Sequence, residues 1–82
     1  MVTELLARVI DSRVFEKPGG RISIKLVHIK DPMLFRERVE VQVEKAQEIF
    51  HPYSVYPPEV KGLRRAERIA RKEYRHFAKK FN

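Results

Sequence analysis

The chain has no cysteine and no tryptophan. Without cysteine there is no disulfide framework, no thiolate zinc site and no cysteine nucleophile. The same absence fits a reducing compartment. No apolar run approaches the roughly 18 residues of a membrane span. The opening "MVTELLARVIDSR" is broken by Glu4 and Arg8, unlike the apolar stretch of a secretory leader. The expected setting is the cytoplasm, or a host-cell interior if the gene is viral.

Site chemistry is equally sparse. His28, His51 and His76 have no second histidine or cysteine at metal-ligand spacing, so no metal is expected. Pro18-Gly19-Gly20 lacks the length and the following helix of a phosphate loop and reads as a turn. Glu37, Glu40, Glu44 and Glu48 read as solvent-facing charge. Asp11, Ser12 and His28 have no spacing that makes a triad. No catalytic residue and no cofactor are expected, and an enzyme is not.

What the chain does have is an uneven distribution of charge. Its 82 residues suit one domain, 1–82, and its net charge is +7. Residues 1–60 hold nine Lys and Arg against nine Asp and Glu. Residues 61–82 hold nine Lys and Arg against two acids, Glu67 and Glu73. The whole excess therefore sits on the last quarter of the chain, which points to an anionic partner.

The patterning predicts a small α+β domain. "ARVIDSRVFEKPGGRISIKLVHIK" reads as a β-hairpin over about 3–30, with Pro18-Gly19-Gly20 as its reversal. Ile22, Ile24 and Leu26 alternate with Ser23 and Lys25, a period of two. An opening helix capped by Thr3 is the alternative for the first arm. The stretch 33–50 carries two signals. Val39, Val41 and Val43 alternate with acids and Gln42 as a strand would. Phe35, Val39, Val43, Ala46 and Phe50 lie at helical spacing, with Asp31-Pro32 as a helix start. Three β-branched residues in five favour a strand over about 36–44, turning helical or irregular towards Phe50. "HPYSVYPPEV" reads as a connection, because three prolines remove backbone donors. One long basic helix over about 59–80 then packs on the antiparallel sheet.

On a helix, Leu63, Ala66, Ile69, Ala70, Tyr74, Phe77 and Phe81 fall within an arc of about 140°. Burial is expected for Leu63, Ile69, Phe77 and Phe81, with the alanines permitting close approach. Arg64, Arg65, Arg68, Arg71, Lys72, Arg75 and Lys79 fall within about 120° on the opposite side. Glu67 and Glu73 sit at its borders, and no acid lies inside it. A solvated face normally mixes signs. Arginine's planar fork suits phosphate oxygens.

This face predicts a nucleic-acid-binding module, for DNA or RNA, that contacts phosphates with little sequence preference. Arg64, Arg68, Arg71, Lys72, Arg75 and Lys79 are the principal contacts, with Lys61 and Arg65 secondary. Tyr53 and Tyr56 either pin the proline-rich connection to the core with Phe50 or stack on unpaired bases. An alternative is a protein-interaction module, of the kind a phage or mobile element encodes, meeting an acidic surface on a larger host complex. A membrane-surface helix competes less well, since the core needs the helix's apolar side. The hairpin's free edges also invite a homodimer.

Overall fold

The computed structural model describes residues 6–31, 36–45 and 48–82. Its first reversal is tight. Lys17 pairs with Gly20, leaving Pro18 and Gly19 as the two-residue loop. Proline presets the first loop position. Gly20 takes φ 129, a conformation that side chains disfavour. The strands it joins are β1, Leu6–Lys17, and β2, Gly20–Asp31. The first arm is thus a strand. Residues 3–5, where the hairpin is expected to begin, and Thr3 as a cap, lie outside the described residues.

Two further strands complete the sheet, β3 at Arg36–Lys45 and β4 at Glu48–Val55. The order is β1-β2-β3-β4, every neighbour antiparallel. Strand wins over helix in β3 because Val39, Val41 and Val43 all turn to one face, where each is buried. Pro32, Phe35 and Ala46, part of the helical alternative, lie outside the described residues.

β4 corrects two readings, that the chain turns helical or irregular towards Phe50 and that residues 51–55 are an irregular connection. Val41 pairs with Tyr53 and Val43 with Phe50, so His51 and Pro52 together oppose Gln42. That is a β-bulge on an edge strand. A proline lacking its N–H is tolerated at such a place, because no ladder bond depends on it.

The helix α1 runs over Leu63–Phe81, starting four residues later than the sequence predicts. Pro57–Glu59 form a single 3-10 turn instead. Lys61 at φ 63 and Gly62 at φ 126 then redirect the chain into α1. Gly62 N–H donates to the Pro57 carbonyl at 2.9 Å, and Ala66 N–H to the Gly62 carbonyl at 3.1 Å.

α1 lies across β2, β3 and β4. Its buried seam is Ala66, Ala70, Tyr74 and Ala78, which differs from the large residues the pattern favours. Small side chains let the helix axis approach the sheet. Ile69, Phe77 and Phe81 then flank the seam, partly buried against the core to which Ile24, Leu26, Val39, Val41 and Val43 belong. Leu63 is left exposed at 37%. Phe81 meets Phe15 of β1, with ring centroids 6.5 Å apart.

The other sheet face carries Val27, Ile29 and Glu40, all buried. Glu40 is therefore not the solvent-facing charge its sequence setting suggests. Its carboxylate accepts from Ser54 Oγ at 2.6 Å, Gln42 Nε2 at 2.7 Å and Arg38 Nε at 3.3 Å. Burial alone raises its pKa. The bonds from Gln42 and Ser54 and the Arg38 charge outweigh that and leave it lowered.

Candidate nucleic-acid interface

Docking through Ala66, Ala70, Tyr74 and Ala78 fixes the rotation of α1. It turns Arg64, Arg65, Arg68, Lys72, Arg75 and Lys79 outward, and all six are exposed. At 1.5 Å per residue, Arg64 to Lys79 spans about 22 Å. None of the six makes an ion pair among the described residues. Lys61 is exposed just before the helix and Lys80 near its end.

Arg71 differs from its neighbours. It is half-buried and bonded to Glu67 at 3.2 Å, one turn back. Its charge also reaches the buried Tyr74 hydroxyl. Arg71 therefore belongs to the flank of α1 that faces β1, and its guanidinium is already engaged. Glu67 stands on that border of the arc. Glu73, half-buried, stands on the other.

The arc works against the helix that carries it. Arg64, Arg68 and Lys72 are spaced at i,i+4, as are Arg71, Arg75 and Lys79. Each like-charge pair of this kind costs a few tenths of a kcal/mol. The first turn has no acid and no side-chain cap, and Arg64 and Arg65 oppose the positive end of the helix dipole. Local stability does not account for these choices.

Tyr53 lies on the same side of the molecule. It sits on the helix-bearing face of β4, opposite Val41. With Ile69, Lys72, Glu73 and His76 it lines a shallow recess of about 340 Å³. Tyr53 is 39% exposed. Exposed His76 packs edge-on against Phe77, with centroids 6.0 Å apart. The structure thus brings Tyr53 to the border of the cationic arc. Tyr56 is half-buried in the turn before α1. The side chain of Phe50, their partner in a pinning role, lies outside the described residues.

His28 is a half-buried β2 residue whose Nε2 lies 3.0 Å from Glu37 Oε2. Lys30 reaches the same oxygen at 3.7 Å. Among the described residues, no three His, Asp or Glu side chains converge as a metal site requires. No helix there is long and apolar enough to cross a membrane.

No protein-family model, no curated protein and no solved structure matches the chain.

Proposed function

We propose that this chain is a small nucleic-acid-binding module that grips the phosphate backbone through the outward face of α1. The observation that carries this reading is the row of six exposed cations, unpaired among the described residues and uninterrupted by an acid. Five of the arc's seven cations are arginines, whose fork matches phosphate oxygens in two places at once. The row matches the spacing of several phosphates along one strand.

Arg64, Arg65, Arg68, Lys72, Arg75 and Lys79 are the direct contacts in this reading. Lys61 extends the row. Arg71 has to leave Glu67 before it contributes fully. The outward face carries no Asn or Gln, which leaves readout of base edges weak. Binding is then largely non-specific and driven by counterion release. Tyr53, beside Lys72 and His76, offers a ring on which an unpaired base stacks.

The test is fluorescence anisotropy of labelled duplex DNA, single-stranded DNA and RNA across a salt series. Wild type is expected to bind with a log–log salt slope of about −0.9 per duplex phosphate neutralised. A folded Arg68→Glu/Arg75→Glu/Lys79→Glu variant is expected to lose binding. No binding by wild type at low salt overturns the proposal. The same face then fits an acidic protein surface, and a specific complex recovered without nucleic acid identifies it.

A further inference from the structure

β1 is an unusual edge. It is 12 residues long, where strands commonly run to about ten at most and edges are kept short. α1 passes over β2, β3 and β4 and leaves β1 largely uncovered. Among the described residues, three of the five exposed large apolar side chains, Leu6, Val9 and Val14, lie on this one strand. Val9 and Val14 are 54% and 56% exposed.

A bulge divides β1. Val9 pairs with Val27 and Asp11 with Leu26, so Ile10 is the extra residue. Beyond it Asp11, Arg13 and Phe15 share the helix-bearing face, opposite Leu26, Ile24 and Ile22. Because of the bulge, Val9 joins Ser12 and Val14 on the other face. Asp11 and Arg13 stand two residues apart on one face. Yet neither forms an ion pair with the other or with any described residue. The Asp11 carboxylate accepts the Ser12 N–H at 2.8 Å and lies beside the Tyr74 hydroxyl, with no cation paired to it among the described residues.

We propose that β1 pairs antiparallel with β1 of a second copy of this chain, in the register that sets Ser12 opposite Ser12. That register places Asp11 opposite Arg13 of the second copy and Arg13 opposite its Asp11. Two charges in each chain that lack an ion pair among the described residues become two cross-strand pairs, on a face where opposite charges attract at close range. Moving the two-fold to Asp11 or Arg13 sets like charges directly opposite, so the charges select the register as well as permit it. Bulges and edge charges normally blunt an edge against arbitrary pairing. Here they leave one complementary solution. On the other face, Val14 meets Val9 of the second copy on both sides of the two-fold, covering the four exposed valines.

The two-fold axis of such a pair stands perpendicular to the sheet. The product is one eight-stranded sheet with both α1 helices on the same side. The two cationic arcs then face the same way. This pairing stands on β1 alone and does not depend on what the arcs bind.

Sedimentation equilibrium of the full chain over a concentration series, without nucleic acid, tests the association. Wild type is expected to be a dimer that dissociates on dilution. Asp11→Arg and Arg13→Asp, each alone, place like charges opposite and are expected to be monomeric. Mixing those two variants restores both pairs, so a heterodimer is expected. The Asp11→Arg/Arg13→Asp double variant is expected to recover the homodimer, which separates lost pairing from lost folding. The register is tested by Ser12→Cys, a clean probe in a chain without cysteine. Neighbouring antiparallel positions have Cα atoms about 4.5–5.5 Å apart, within disulfide range. Oxidation should yield a covalent dimer at least tenfold faster than Lys25→Cys, an exposed site one strand inward. A monomeric wild type, a mixture that does not associate, or equal cross-linking of the two cysteine variants overturns the proposal.

Discussion

Ser54 of β4 donates its hydroxyl to the carboxylate of Glu40 on β3 at 2.6 Å, tying the edge strand to the interior of the sheet. The bond lies on the sheet face opposite α1, two residues beyond the bulge at His51 and Pro52. With Gln42 and Arg38 it surrounds the carboxylate of a residue that is only 8% exposed.

Glu40→Ala leaves three donors facing a gap. A loss of about 2–3 kcal/mol is expected, and about 1–2 kcal/mol for Ser54→Ala. Urea unfolding at neutral pH measures both. In the double variant the two losses should fall short of adding, because they break one network.

The same carboxylate sets an acid limb. Its pKa is lowered on folding, so its stabilisation is present above the unfolded value near 4.5. It is lost as pH falls from there through the folded value. The melting midpoint of wild type should drop over that range more steeply than that of Glu40→Gln. Equal slopes would remove Glu40 as the cause.

Tyr74 is 2% exposed, and its hydroxyl lies beside the Asp11 carboxylate without closing a well-formed hydrogen bond among the described residues. Tyr74→Phe is therefore expected to be neutral or stabilising by up to about 1 kcal/mol, and Tyr74→Ala to cost about 3–5 kcal/mol. Burial, with the nearby Asp11 charge, raises the tyrosine pKa, against the opposing charge of Arg13. Wild type should lose stability as pH climbs above 10, the unfolded value, and Tyr74→Phe should lose less.

Ala66 and Ala70 are fully buried beneath α1. Ala70→Leu forces the helix away from the sheet, at about 1–3 kcal/mol. Leu63→Ala, at an exposed position, should change stability by less than about 0.5 kcal/mol. Thermal melts of the two variants compare seam and flank directly.

The cationic arc predicts opposite signs for stability and binding. Arg68→Ala and Arg75→Ala relieve i,i+4 repulsion and should raise the low-salt melting midpoint slightly. Each should also flatten the salt slope by about 0.9 on duplex DNA. Arg71→Ala breaks its bond to Glu67 and should cost stability while weakening binding less. A uniform response of all three would contradict the different settings of their guanidinium groups.

Much of this architecture is legible in the sequence, for local reasons. Pro18-Gly19-Gly20 allows little but a reversal. The valines at 39, 41 and 43 alternate cleanly, and the cations of α1 share an arc because helical spacing is rigid. β4 is not legible, since Pro52 argues against a strand until a bulge on an edge makes room for it. The seam of α1 is misjudged because hydrophobicity favours Leu63 and Phe77, whereas the distance between helix and sheet is set by Ala66, Ala70 and Ala78. Glu40 looks like its acidic neighbours. Its burial depends on Ser54, 14 residues away, and no local pattern carries that pairing. Arg71 separates from the other cations through Glu67 and the flank it occupies.

The start of α1 has a thermodynamic consequence. Gly62 gives it no side-chain cap, and Arg64 and Arg65 fill its first turn. With that beginning and a one-sided charge, the helix owes its stability to the sheet it packs on more than to its own sequence. The cationic face is therefore a property of the folded chain. Any polyanion that binds that face and not the unfolded chain draws the whole population towards the native state by mass action.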